Sequence, residues 1–120
     1  MKEKCCVRAS SHEETVRRIK ETAIGEVEIE RMASVFQTLS DSGRLKIVLA
    51  LLQGDLCVSN LMEVCGATQS AVSHQLRVLR DNKIVKAKRI GQSVEYSIAD
   101  EHIREIVEMS VAHLHCELES

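Results

Sequence analysis

Proline and tryptophan are absent from the 120 residues, and there is one Phe and one Tyr. Without proline, no helix is broken by that residue. With almost no aromatic rings, the core has to be aliphatic, built from Leu, Ile, Val, Met and Ala. No apolar run approaches the ~18–20 residues that cross a bilayer. No apolar stretch follows the opening Met1-Lys-Glu-Lys-Cys-Cys6, so neither a membrane span nor a signal peptide is expected, and the expected location is the cytoplasm. An odd number of cysteines, five, argues against a closed disulfide framework. In a reducing compartment they are expected as thiols or metal ligands. There is no Gly-rich phosphate loop, and no grouping of Ser, His and Asp is better explained by catalysis, so an enzyme is not expected. The net charge of −2 excludes a uniformly basic nucleic-acid binder.

The length suits one core. The apolar periodicity, the caps and the turn residues predict a mainly α fold with one small β-hairpin. Residues 1–11 lack periodicity and read as a flexible arm, with a domain over 12–118. From His12 to about Ile24 acids precede bases, the order a helix dipole favours. Gly25 separates this segment from a helix with Val27, Ile29, Met32, Val35, Phe36 and Leu39 at helical spacing. Ser40-Asp41-Ser42 offers caps for a third helix with a buried stripe of Leu45, Val48, Leu49 and Leu52, ended by Gly54.

A short helix over 58–65 then runs into Gly66, which suits a tight turn, and Thr68 is placed to cap the next helix. In that helix Val72, Leu76 and Leu79 share one face, while Gln69, Ser70, Ser73, His74 and Arg77 occupy the other. Two helices joined by a short Gly-containing turn, the second polar outside, form a helix-turn-helix. Such a second helix enters the major groove. After Asp81-Asn82-Lys83, the runs 84–90 and 93–98 are β-rich and separated by Gly91-Gln92, which predicts a hairpin. Between His74 and Gln92 there are six cations and one anion, Asp81. A basic hairpin directly after a recognition helix is a wing. Gln69, Ser70, Ser73, His74 and Arg77 are therefore candidates for bases and nearby phosphates, and Lys86, Lys88, Arg89 and Gln92 for the DNA backbone. Asp100 caps a last helix from about Glu101 to Glu117, with Ile103, Ile106, Val107, Ser110 and Leu114 on one side.

The segments Leu39-Ser-Asp-Ser-Gly-Arg-Leu-Lys-Ile47, Asp55-Leu-Cys-Val-Ser-Asn-Leu61, Ser70-Ala-Val-Ser-His-Gln-Leu-Arg-Val-Leu79, Gly91-Gln-Ser-Val-Glu-Tyr-Ser-Ile98 and Asp100-Glu-His102, in this order, resemble the bacterial ArsR/SmtB family of metal-responsive repressors. The likeness covers about residues 28–117. It is strongest to the cadmium, lead and zinc sensors that carry a Cys-bearing N-terminal extension. The resemblance implies a winged helix-turn-helix homodimer, joined through its first and last helices, on an inverted-repeat operator in double-stranded DNA. It also implies that metal weakens DNA binding and derepresses an efflux or sequestration gene.

Two sets of candidate ligands follow. His113 and Cys116 are i, i+3 on the last helix and share a face. His102 and His113 lie eleven residues apart, nearly three turns, and so share a face but stand about 16 Å apart along the axis. Zinc–nitrogen bonds are about 2 Å, so one helix cannot bring both to one ion. An antiparallel partner helix can, and then Asp100 and His102 of one subunit meet His113 and Cys116 of the other. The pairing matches the family's interfacial zinc site, where His or Glu is the usual last ligand. Cys116 departs from that, and Glu117 or His115 could serve instead. The donor set suits tetrahedral Zn(II).

The second set is sulfur-rich. Family members with a soft-metal site carry Cys-Val-Cys where this chain has Cys57-Val58-Ser59. Cys5 and Cys6 of the arm, with Cys57 and with His12 as a fourth ligand, would favour Cd(II), Pb(II) or Cu(I). Cys65, among Leu61, Met62 and Val64, reads as a core thiol. Two rival readings use the same residues. One is a thiol redox switch in which Cys5, Cys6 and Cys57 are oxidised, and the other is a cytosolic metal buffer.

Overall fold

The computed structural model describes residues 9–119, and Cys5 and Cys6 lie outside them. The chain divides into two compact units, 1–32 and 33–120. In the first, α1 (Ala9–Glu21) begins three residues ahead of the expected start at His12 and leads to the opening turns of α2 (Glu26–Leu39). Arg17 pairs with Glu14 at 3.6 Å. The Gly25 N–H donates to Glu28 Oε1 at 3.0 Å, which satisfies a backbone group at the head of α2. Val16, Ile19, Ile24, Val27, Ile29 and Met32 are all exposed.

The second unit holds the core. It contains the end of α2, then α3 (Ser42–Gln53), α4 (Val58–Cys65), α5 (Gln69–Asp81), β1 (Val85–Ile90), β2 (Ser93–Ile98) and α6 (Glu101–Glu119). As expected, the buried apolar side chains are aliphatic: Leu39, Ile47, Val48, Leu51, Leu61, Val72, Leu76, Leu79, Ile84, Val85, Ile98, Ile103 and Val107. Asp41 caps α3, its Oδ2 accepting from the Arg44 N–H at 3.0 Å. The buried face of α3 differs from the expected stripe. Ile47, Val48 and Leu51 are buried, whereas Leu49 is 39% exposed. The cause is that α3 packs against α4, α5 and β2 together. Its inward side is set by three partners, and a one-stripe reading rotates it wrongly.

The helix-turn-helix forms as the sequence predicts. Gly66 closes α4 in the left-handed region at φ 63°, where a Cβ is strained. Thr68 caps α5, its hydroxyl accepting from the Ala71 N–H at 3.2 Å. Lys83 turns the chain out of α5 at φ 59°. The strands then pair antiparallel, Val85 opposite Ile98 through Ile90 opposite Ser93. Gly91, at φ 63°, is the first of the two loop residues, the place where a tight hairpin turn takes glycine. Leu56, just before α4, forms a single antiparallel bridge to β2 at Tyr96. Its N–H donates to the Tyr96 carbonyl at 3.1 Å and its carbonyl accepts from Tyr96 at 2.8 Å.

Two arginines fasten helices together. Arg44 donates from Nε to the Thr38 carbonyl at 2.8 Å and from Nη1 to Gln75 Oε1 at 3.2 Å, tying the end of α2 to α5. Arg104 donates to the Leu52 carbonyl at 3.1 Å, tying α6 to the end of α3. Asp100 caps α6 as expected, its Oδ1 accepting from the Ile103 N–H at 3.0 Å. The expected single apolar side of α6 is divided. Ile103 and Val107 are buried, while Ile106, Met109 and Leu114 are exposed. Among the described residues no helix is long and apolar enough to cross a membrane.

Candidate nucleic-acid interface and metal half-sites

The apolar face of α5 is spent on the core through Val72, Leu76 and Leu79. That fixes the helix in rotation and turns Gln69, Ser70, Ser73, His74 and Arg77 outward, where all five are exposed. Thr68 holds the helix start from which these short side chains project. On the hairpin, Lys86, Lys88, Arg89 and Gln92 are likewise exposed. Lys88 stands across from Glu95 and Arg89 across from Val94, so one wing cation faces an acid and another an apolar residue. The nine candidate DNA contacts therefore lie on the surfaces of α5 and the wing. Gln75, on the same helix, is used internally, between Arg44 and Asp41.

A cleft of about 490 Å³ separates α5 from the wing, lined by Ser73, Leu76, Arg77, Arg80, Asp81 and Tyr96. Arg80 and Tyr96 are not among the sequence-derived candidates. Arg80 carries a signal in its i, i+3 spacing from Arg77, whereas Tyr96 reaches the cleft only through the strand register.

The α6 ligands fall into two groups along one helix. His102 Nδ1 lies 3.9 Å from Asp100 Oδ1, and both side chains are more than half exposed. Asp100 Oδ1 is committed to the cap, which leaves Oδ2 for a ligand. His113 and Cys116 are exposed one turn apart. His113 sits in a shallow apolar groove with Ile106, Met109, Ser110 and Leu114. Among the described residues of one chain, no three His, Cys, Asp or Glu side chains gather closely enough to hold a metal ion. Each chain thus presents an oxygen–nitrogen pair and a nitrogen–sulfur pair, and the two together make a donor set that suits tetrahedral zinc.

Cys57 begins α4 as its N-cap residue and is half-buried. Its sulfur lies 3.3 Å from the Ser59 hydroxyl and 3.0 Å from Asn60 Oδ1. Hydrogen bonds from the Ser59 side chain, and then from the Asn60 backbone, hold the thiol below its ordinary pKa against a smaller opposing effect of burial. Ser59, read from sequence as a departure from Cys-Val-Cys, is therefore also a partner of the remaining sulfur. His12 is exposed on α1, in the other unit. Cys65 is half-buried and packs against the core rather than lying within it. It lines a small pocket of about 260 Å³ with Gly43, Lys46 and Ala67 among others.

Residues 41–87 match the model of the family described as bacterial regulatory protein, arsR family. The chain is 37% identical to a transcriptional repressor SmtB homolog of Synechocystis over 91% of its length and 83% of the relative's. To a homolog of the cadmium resistance transcriptional regulatory protein CadC of Staphylococcus aureus it is 36% identical, over 85% and 84% of the two chains. Among solved structures, that of the AntR antimony-specific transcriptional repressor superposes with a TM-score of 0.72 at 29% identity, covering 82% of this chain and 89% of the other. A shared fold, a matched helix-turn-helix segment and near full-length relatives lead to one assignment: the chain belongs to the arsR family of bacterial regulatory proteins.

Proposed function

We propose that the chain is a metal-responsive transcriptional repressor. It binds inverted-repeat operator DNA as a homodimer and releases it when Zn(II), Cd(II) or Pb(II) binds, derepressing metal efflux or sequestration. The observation that carries the DNA half is the exposed polar face of α5 beside a basic hairpin. The relatives' names, an SmtB homolog and a cadmium resistance regulator, support the metal half. The donors on α6 support it too, because their separation along the helix needs a second, antiparallel copy. The exposed Ile106, Met109 and Leu114 of α6, and Val16 and Ile19 of α1, support a homodimer through the first and last helices. Asp100, His102, His113 and Cys116 form the interfacial site, and Cys5, Cys6, Cys57 and His12 an arm site for softer ions. Domain 12–118 carries dimerisation and DNA binding, with 1–11 as the Cys-bearing arm, and the protein works in the cytoplasm.

Operator-DNA anisotropy under titration of Zn(II), Cd(II) and Pb(II) tests this, on the wild type and on His102→Ala and Cys57→Ser. Release by zinc that is lost in His102→Ala alone assigns regulation to the α6 site. Release by cadmium or lead that is lost in Cys57→Ser alone assigns it to the thiolate site. A second reading is favoured by the lowered pKa of Cys57: a thiol switch oxidised by peroxide, since the thiolate is the reactive form. Release by peroxide with none by any metal selects it.

A further inference from the structure

We infer that the cleft between α5 and the wing is a seat for the sugar-phosphate backbone of bound DNA, with Arg80 and Tyr96 as phosphate ligands beside Arg77 and Ser73. The inference rests on the DNA-binding reading and deepens it. A helix in the major groove and a wing in the adjacent minor groove must straddle one strand of the duplex, because a backbone divides the two grooves. The channel between helix and wing is therefore where that backbone passes. In this chain the channel is an open cleft of about 490 Å³, and its wall is suited to an anion. Arg77 and Arg80 both line it from one side of α5, three residues apart. Each is exposed, and among the described residues neither takes part in an ion pair. Two neighbouring guanidinium groups repel each other, and a phosphate between them removes that repulsion while accepting from both forks. Ser73 and Tyr96 line it from opposite sides, and each side chain carries a hydroxyl that can donate to a phosphate.

Tyr96 is held in place both by its backbone and by its ring, which is half-buried and packs against the core. It is the residue of β2 that exchanges two hydrogen bonds with Leu56, and it stands across from Ala87 on β1. Strand register thus presents the one tyrosine of the chain to the helix. Asp81 lines the same cleft and opposes an anion there, which limits the seat to a net single positive charge. That opposition gives the inference a signature of both signs.

The test uses a labelled mixed-sequence duplex at about 50 mM salt, where non-specific binding is electrostatic and no operator need be known. Arg80→Ala is expected to lower the slope of log K against log salt by about 1 and to weaken binding several-fold. Tyr96→Phe, which changes no charge, should weaken binding about two- to tenfold with the slope unchanged. Asp81→Asn should tighten binding. Circular dichroism and thermal melting of each variant check that it remains folded. Fluorotyrosine in place of the single Tyr gives one fluorine resonance in the wild-type sequence, and it should shift as duplex is added. Wild-type binding with unaltered affinity and slope in Arg80→Ala and Tyr96→Phe, or a resonance that stays in place, overturns the seat while leaving DNA binding intact. A wild type that binds no duplex at low salt overturns the DNA reading, and the seat with it.

Discussion

At Cys57 a single side chain sets the chemistry available at the head of α4. The Ser59 hydroxyl and the amides of the first turn stabilise negative charge on its sulfur, so more of it is thiolate at neutral pH than in an ordinary cysteine. Because the folded-state pKa is depressed, the stabilisation is present above the unfolded pKa and is lost as pH falls through the folded value. The pH profile of iodoacetamide alkylation, read by peptide mass in metal-free protein, should therefore show Cys57 turning on at lower pH than a free thiol. Ser59→Ala should move that profile upward, since the Ser59 hydrogen bond is the largest cause of the shift. A profile for Ser59→Ala that overlays the wild type would contradict the account. Thr68 is a second residue whose effect is local. Its side chain satisfies one backbone donor at the start of α5, and Thr68→Ala should lower stability by about 1 kcal/mol in urea unfolding.

At the scale of elements, legibility tracked the number of partners an element has. The turn into α5 was readable because Gly66 and Thr68 act within a few residues of themselves, and the hairpin because Gly91 sits between two β-rich runs. The rotation of α3 was not, since α4, α5 and β2 compete for its faces. The helix α6 reads as one stripe but has two destinations. Ile103 and Val107 are buried, while Ile106, Met109 and Leu114 face outward around His113. The exposed polar residues of α5 were legible as the side its apolar stripe does not use, whereas Tyr96 depends on register and Ser59 on a sulfur two residues away. The divided stripe yields opposite expectations for neighbouring positions. Ile103→Ala should cost about 2–4 kcal/mol of stability by leaving a cavity. Leu114→Glu should leave the protein folded but shift sedimentation toward monomer and weaken the dependence of Tm on protein concentration. Equal sedimentation of Leu114→Glu and wild type would remove α6 from the dimer interface.

For the whole molecule, a net charge of −2 coexists with a basic face, so what the protein binds is decided by where the charge lies. The proposed ligands on α6 and the proposed reading face on α5 and the wing belong to one compact unit, and Arg104 and Arg44 link α6 to α3 and α3 to α5. If metal and DNA are coupled through such a body, thermodynamics fixes the relation between them. Metal can shift the equilibrium only by binding the DNA-incompetent dimer more tightly. The factor by which metal weakens DNA binding must equal the factor by which DNA weakens metal binding, about 5–150-fold for a typical coupling of ~1–3 kcal/mol. Competition titrations with a chromogenic zinc chelator, run on free protein and on protein saturated with operator, measure the second factor, and anisotropy with and without zinc measures the first. The two should agree. The ligands must lose protons to bind, so at about pH 5.5 zinc affinity should fall and the concentration needed for release should rise with it. Zinc-triggered release that keeps its midpoint between pH 7.5 and 5.5 would rule out His102, His113 and Cys116 as the ligands that drive it.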